Sequence, residues 1–347
     1  MTKKHIIEYS KDELITLFKE YGYPQYRARQ VYDWLHKKSI TKYEMMINLP
    51  KDIIKTLDSI LPLDIPVIYN CQISNDGTRK YVLKLSDSSL VEAVAMPSYE
   101  KDGGISRLSI CFSSQVGCAM GCPFCATGYE GFTRNLLPHE IYYQVLVVGQ
   151  DFGARVSNLV AMGQGEPFQN YKNTMDALYI LNQPEGLNIG ARHITISTCG
   201  VISGILKLAN EDPQYTLALS LHSAIQKSRD ILIPKLSKTS LVEIKKSLTE
   251  YINKTNRRVS LEYLLIKDIN DNEEHLDALI KFCDNLLCHV NLLLYNPVEE
   301  SGYKPSTKKV LNLWLKTLHK NKIPTSTRIP RGVDINGACG QLKNKLI

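Results

Sequence analysis

The sequence predicts an α/β fold, a partial (βα)6 barrel preceded by an N-terminal helical domain and a short β-meander. Three observations carry this. From Ser106 onward, short apolar runs alternate with amphipathic helical stretches, the pattern of parallel strands joined by helical crossovers. Six such runs can be marked, too few for a closed eight-stranded barrel. Polar and glycine-rich signals gather just after the runs, where parallel barrels place their chemistry.

Residues 1–62 read as a helical accessory domain. Leu14, Ile15, Leu17 and Phe18 recur with helical spacing. A second helix is expected over Arg27–Lys37 with Val31, Trp34 and Leu35 inward, and Pro50 opens a third. Arg27, Arg29, Lys37, Lys38 and Lys42 interleave with Tyr21, Tyr23, Tyr26 and Tyr32. That mixture suits RNA, where rings stack on unpaired bases and cations hold phosphates; a helical cap with a solvated face accounts for the same residues. Residues 63–104 read as the meander. Its first hairpin turns at Asn75-Asp76-Gly77 and its second at Asp87-Ser88, and Glu92 interrupts the apolar run Leu90–Val94. Residues 105–300 form the barrel. The candidate strands are Leu108–Phe112, Asn158–Met162, His193–Ser197, Thr216–Leu221, Val259–Leu265 and Val290–Leu294, separated by helices such as Glu140–Gln150 and His275–Leu286.

Residues 301–347 are set apart by charge. They carry ten Lys or Arg and one acid, Asp334, a net of +9, whereas the whole 347-residue chain sums to +7. A solvated basic surface or a polyanion-binding face both fit. No apolar run is long enough to span a membrane, and Met1-Thr2-Lys3-Lys4-His5 is not a secretory leader. Nine cysteines, an odd number with three in one tight motif, argue against a disulfide scaffold and for a reducing cytoplasm.

That motif, Cys118-Ala-Met-Gly-Cys122-Pro-Phe-Cys125, is the most informative feature of the chain. Three thiolates on one loop can hold three irons of a [4Fe–4S] cube and leave the fourth open to S-adenosylmethionine. A structural zinc site would want a fourth ligand, usually from a second Cys or His pair, and none lies near. The other polar signals share one rim. The second run leads into Met162-Gly163-Gln164-Gly165-Glu166-Pro167, where glycines allow a ligand to approach and Glu166 could accept from a ligand ammonium. The third run ends at Ser197, the fourth at Ser220-Leu221-His222, and the sixth at Tyr295-Asn296-Pro297. Cys111 closes the first run. Cys339 stands in a glycine-rich loop that reads as flexible, with an accessible thiol whose basic surroundings favour a thiolate. Cys71, Cys199, Cys283 and Cys288 read as small interior hydrophobes.

Taken together these residues resemble the RlmN/Cfr family of radical S-adenosylmethionine RNA methyltransferases over nearly the whole chain. The likeness rests on Tyr26-Arg27-Ala28-Arg29-Gln30, Ser113-Ser114-Gln115-Val116-Gly117-Cys118, Gly165-Glu166-Pro167, Ser220-Leu221-His222, and Asp334-Ile335 with Ala338-Cys339-Gly340-Gln341-Leu342. The first and last of these are not shared by radical enzymes at large. The resemblance implies that Cys118, Cys122 and Cys125 bind the cluster. Gly165, Glu166, Ser197, Ser220, Leu221, His222 and Asn296 would contact S-adenosylmethionine. Cys339 would be the cysteine methylated first, Cys111 the resolving thiol, and Glu92 the proton acceptor. A radical formed on the S-methyl carbon would add to an adenine ring carbon too electron-poor for ordinary methylation. Attack by Cys111 would then release the product and leave a disulfide.

Some positions depart from the family pattern. Gln164 stands where Met is usual, Gly337 replaces a common Ala, and Ile225–Arg229 and Leu232-Ile233-Pro234 are atypical. Glu166-Pro167 resembles the C2-methylating branch more than the C8 branch, whose members confer antibiotic resistance. The expected substrate is therefore C2 of an adenosine in 23S ribosomal RNA, with transfer RNA an open second target and a flavodoxin- or ferredoxin-type electron donor. The alternatives are a C8-methylating enzyme, a radical enzyme acting on a small molecule or peptide, and a non-catalytic iron–sulfur or zinc protein.

Overall fold

The structure, a computed structural model, describes residues 4–211 and 214–343. Helices α1 (Lys11–Glu20), α2 (Gln25–His36) and α3 (Lys51–Ile60) make up the N-terminal bundle. A reciprocal cap starts α1: Ser10 Oγ accepts the Glu13 N–H at 3.2 Å, and the Glu13 carboxylate accepts the Ser10 N–H at 2.7 Å. Leu14, Phe18, Val31, Leu35, Ile53 and Leu57 fill its core. Trp34, expected inward, is only partly buried, because its indole N–H reaches out to Asn48 Oδ1 at 2.6 Å. Tyr32 and His36 take the inner face instead, their rings stacked 4.1 Å apart.

The remaining strands are β1 (Val67–Ile73), β2 (Arg79–Lys84), β3 (Leu90–Tyr99), β4 (Ile105–Cys111), β5 (Gln115–Gly117), β6 (Phe132–Asn135), β7 (Val156–Ala161), β8 (Ile194–Thr198), β9 (Thr216–Ser220), β10 (Val259–Leu265), β11 (Cys288–Leu294) and β12 (Thr325–Thr327). Helices α4 (Ala126–Glu130), α5 (Pro138–Phe152), α6 (Tyr171–Asn182), α7 (Ile202–Glu211), α8 (Gln226–Leu232), α9 (Leu241–Thr255), α10 (Glu273–Cys283) and α11 (Lys308–Lys320) fall between them. Ten strands form one sheet in the order β1-β2-β3-β4-β7-β8-β9-β10-β11-β12. The first three are antiparallel, β3 joins β4 antiparallel, and every later pairing is parallel. The meander is thus continuous with the barrel sheet.

The six expected barrel strands are β4 and β7 to β11. The three-residue β12 adds a seventh parallel strand that the sequence reading missed, being too short to show a period. The small β5–β6 hairpin was missed for the same reason. Along each parallel strand the two faces differ. Leu108, Ile110, Leu159, Ile194, Ile196, Leu217, Leu219, Leu261, Tyr263, Val290 and Leu292 point outward and are buried beneath the helices. The alternate residues point into the lumen, and many are polar: Ser109, Asn158, Thr195, Ser197, Ser220 and Glu262 line its cavities. Among the described residues no helix is long and apolar enough to cross a membrane.

Candidate active site

Two cavities meet at the C-terminal ends of the strands. The first, about 950 Å³ with its open mouth included, is lined by Cys118, Cys122 and Cys125. The second, about 1540 Å³ on the same measure, runs down the lumen and is lined by Cys111. Cys339, Arg328, Met162 and Leu293 border both.

The cysteine loop is held at its base. Its strand β5 pairs with β6, and the Cys118 N–H donates to the Gly131 carbonyl at 2.7 Å. Gly117 has φ +74°, and a Cβ there would meet the Gly131 oxygen at 2.0 Å, so only glycine fits. Arg134 of β6 forms two 2.8 Å bonds to the Glu140 carboxylate and one of 2.7 Å to Asp87 Oδ2. Burial raises the Cys118 and Cys125 thiols above their ordinary range, so loading a metal group must displace their protons. Three thiols on one wall, backed by the buried Met120 and Phe124, suit a cluster bound at three corners. Among the described residues, no three His, Cys, Asp or Glu side chains are grouped to hold a single ion.

Opposite the thiols stand the polar strand ends. Glu166 is buried; its carboxylate accepts the Phe168 N–H at 3.1 Å and the Cys199 N–H at 2.7 Å. Burial raises its pKa against the pull of those donors. Ser197 and Ser220 face one another with hydroxyls 3.3 Å apart. His222 has φ +54° and accepts the Leu264 N–H on Nδ1 at 3.2 Å, which leaves the proton of the neutral ring on Nε2. Burial and then Arg229 lower its pKa to about 3, so the ring is neutral at physiological pH.

Other predicted contacts fall elsewhere. The Leu221 side chain is fully buried in the core, and its backbone N–H and carbonyl are taken by Glu262 and Arg229. Asn296 lines the second cavity, and its Nδ2 donates to the Cys339 carbonyl at 3.4 Å. The glycines expected to admit a ligand are needed first by the chain itself. A Cβ on Gly163 would lie 2.5 Å from the Phe112 carbonyl oxygen, and one on Gly165, at φ +101°, 2.6 Å from Gln115 Cβ. Gln164 is a buried staple: its Oε1 accepts the Glu92 N–H at 3.1 Å, a bond that the usual Met could not match.

The Cys339 loop is anchored rather than flexible. Arg331 donates to the Pro97 carbonyl at 2.6 Å, Gly332 N–H to Asp76 at 3.2 Å, and Asp334 accepts from Ser74 Oγ at 2.5 Å and the Asn75 N–H at 3.0 Å. The meander hairpin is thus a dock for this loop. Farther on, Ala126 N–H donates to the Gly340 carbonyl at 2.7 Å, and Thr127 Oγ1 to that of Leu342 at 2.8 Å. Cys339 itself is exposed to the cavities, but the protein around it raises its pKa despite Arg328, so the basic tail does not leave a ready thiolate. Burial pushes Cys111 up to about 12, with Cys339 adding and Arg328 opposing.

Glu92 lines neither cavity. Its carboxylate accepts the Lys343 N–H at 2.6 Å and lies 3.4 Å from the Lys80 ammonium, so it tethers the loop. Burial raises it to about 7. Sequence reasoning missed three residues. Cys199 was assigned to the interior, yet it lines the first cavity. Arg328 approaches Glu262 at 3.9 Å on the shared wall. Arg229, buried without a carboxylate partner among the described residues, donates to the carbonyls of Ser220, Leu221 and Cys199 and so ties the β8 and β9 ends together. Its place in an atypical stretch was the one signal available.

The open barrel with a three-cysteine loop at its C-terminal rim defines a radical S-adenosylmethionine enzyme, which uses a [4Fe–4S] cluster and S-adenosylmethionine. Residues 112–282 match the Radical SAM superfamily, and residues 4–62 match the ribosomal RNA large subunit methyltransferase N-terminal domain. A probable dual-specificity RNA methyltransferase RlmN from Clostridium perfringens (strain SM101 / Type A) is 42% identical over 345 residues, covering 99% of this chain and 98% of that protein. A protein of the same name from Clostridioides difficile (strain 630) is 42% identical over 348 residues, covering 99% of each. The crystal structure of a radical SAM methyltransferase from Sphaerobacter thermophilus superposes with a TM-score of 0.93 at 37% identity, over 99% of this chain and 100% of that one. The chain belongs to the RlmN family of radical S-adenosylmethionine RNA methyltransferases.

Proposed function

We propose that this enzyme methylates C2 of an adenosine in 23S ribosomal RNA and in transfer RNA, through a methylated Cys339. One observation carries the reading: Cys339 borders both the cavity of the cysteine triplet and the cavity of Cys111. When bound, the cluster and S-adenosylmethionine supply a methyl group and the means of removing one hydrogen atom from it. Cys118, Cys122 and Cys125 would hold the cluster, with Glu166, Ser197, Ser220 and His222 around S-adenosylmethionine. Cys339 takes the methyl group on sulfur, and its carbon, less one hydrogen, becomes bonded to C2 while the ring gives up a proton and an electron. Cys111, as the thiolate, then attacks the Cys339 sulfur. The S–C bond breaks with its electron pair going to carbon, which takes a proton and leaves as the ring methyl. The two thiols end as a disulfide, reduced by a dithiol before the next turnover, and a flavodoxin- or ferredoxin-type protein supplies the cluster's electrons.

Arg328 supports this assignment, because it stands on the wall shared by both cavities and its charge opposes the burial that raises both thiols. The relatives' dual-specificity names support two RNA substrates. The test is mass spectrometry of nucleosides from RNA treated with the reconstituted enzyme. Wild type gives 2-methyladenosine, Cys339→Ala gives none, and Cys111→Ala retains RNA as a covalent adduct on a denaturing gel. Methylation by Cys339→Ala refutes the route, and 8-methyladenosine from wild type moves the enzyme to the C8 branch.

A further inference from the structure

We propose that the RNA reaches Cys339 from the N-terminal end of the barrel strands, through the lumen, rather than over the rim that carries the cysteine loop. This rests on the RNA-methylating reading above and adds the route and the phosphate-binding surface.

The rim side of the second cavity is roofed. The loop bearing Cys339 is bonded to α4 at Ala126 and Thr127, and Leu342 packs on Val94 and Cys111. The opposite end is open. From Cys111 the lining descends β4 through Ser109 to Arg107, β7 from Val160 to Asn158, and from Thr195 of β8 to His193 just ahead of that strand, and Arg107 and His193 are exposed. Four residues of strand span about 13 Å at roughly 3.3 Å each, which accommodates one unstacked nucleotide with its base at Cys339 and its phosphate at the entrance. A barrel interior is ordinarily packed with branched aliphatic side chains. This one offers Ser109, Asn158 and Thr195, groups that can hydrogen-bond a base edge.

Guanidinium groups gather toward this end of the sheet. Arg107 and Arg331 line the cavity, Arg155 immediately precedes β7, Arg192 lies just ahead of β8, and Arg257 and Arg258 immediately precede β10. Among the described residues none of the six makes an ion pair with a carboxylate. Their recorded partners are neutral: Arg107 donates to Ser98 Oγ, Arg155 to the Asn188 carbonyl, Arg192 to Gln214, and Arg257 to Gln214 and Thr216. Cations beside helix C-termini complement the helix dipole, which accounts for Arg155 after α5 and for Arg257 and Arg258 after α9. It does not account for Arg107, which lies within a strand, or for Arg192, which follows the end of α6 by a nine-residue connection. The helical domain reaches the same end, with Lys11 3.6 Å from Glu185 and Ser39 accepting from Gln150 at the end of α5. Cations without a carboxylate partner among the described residues, gathered toward this end of a polar lumen, match a polyanion with one base extruded.

The test uses reconstituted holoenzyme and a fluorescein-labelled RNA hairpin with an unpaired adenosine in its loop, read by anisotropy across a salt series. The entrance variant is Arg155→Gln/Arg192→Gln/Arg258→Gln. The control, at the opposite rim, is Lys235→Gln/Lys238→Gln/Lys267→Gln, three exposed lysines after β9 and β10. The entrance variant is expected to bind about tenfold more weakly, with a salt slope shallower by roughly 2, at about 0.7 per lost phosphate contact. The corresponding Arg→Lys triple, which keeps the charges, is expected to restore most of the affinity, and the rim variant to bind within about twofold of wild type. Weakening by the rim variant with none by the entrance variant overturns the route. Failure of the Lys triple to restore binding also overturns it, by assigning the arginines to the fold. Wild type that binds no RNA at low salt overturns the methyltransferase reading beneath it.

Discussion

The Glu92 carboxylate makes a sharp test of the electrostatics under the Cys339 loop. Its pKa is raised from 4.5 to about 7, chiefly by burial, with the Lys80 ammonium and the Lys343 N–H opposing. A carboxyl whose folded pKa exceeds its unfolded one favours the fold while protonated. That contribution is complete below pH 4.5 and is lost as pH rises through 7. At 1.36 kcal/mol per pH unit the loss across this window approaches roughly 3 kcal/mol. Glu92→Gln keeps the shape and removes the titration. Like protonated Glu92 below its own pKa, it places no charge beside Lys80, and it does so at every pH, so the Lys80 pairing enters only through the opposing pull already contained in the Glu92 pKa. The assay is urea unfolding of wild type and variant, under anaerobic conditions, at half-unit steps from pH 5 to 8. The difference in stability between the two proteins should tilt against wild type by about 2–3 kcal/mol over that range. Parallel curves would refute the reasoning, because they would mean that Glu92 titrates as it does in the unfolded chain.

Three further outcomes are expected. Gly163→Ala forces a Cβ to within 2.5 Å of the Phe112 carbonyl oxygen; urea unfolding should show a loss of about 1–3 kcal/mol, and calorimetry weaker S-adenosylmethionine binding. Arg229→Met strips three backbone carbonyls of their donor, for about 3 kcal/mol of stability, with a loosened Ser197–Ser220 wall read as a raised Kd for S-adenosylmethionine. His36 is buried with neither ring nitrogen hydrogen-bonded, and its pKa is lowered to about 4 by burial. Its contribution is present above pH 6.5 and lost as pH falls toward 4, so His36→Phe should raise stability by about 1 kcal/mol at pH 7 and flatten the acid limb of the urea-midpoint profile.

The barrel was legible because its period is written in residues such as Leu108, Ile110, Leu159 and Ile196, whose burial the outer face enforces. The cysteine loop was legible because ligands on a tight turn need fixed spacing. What escaped depended on contacts distant in sequence. Arg229 and Arg328 look like surface cations until the fold folds them inward, and Cys199 looks like a core thiol until its strand end is placed beside the triplet. The expected flexibility of the Cys339 loop followed from its glycines, but Asp334 and Lys343 meet partners on the meander some 250 residues away in the chain. No local pattern encodes those pairs. The core placement of the Leu221 side chain was hidden for a related reason, since a residue between two cavity-lining neighbours on a strand end points the other way.

The alternation of the parallel strands divides labour between odd and even positions. Cohesion is written on the side chains under the helices, and traffic on those that look into the lumen. A substitution such as Thr195 to another small polar residue therefore touches almost nothing that holds the molecule together. Descendants of this chain could retune which nucleotides pass while inheriting the scaffold unchanged.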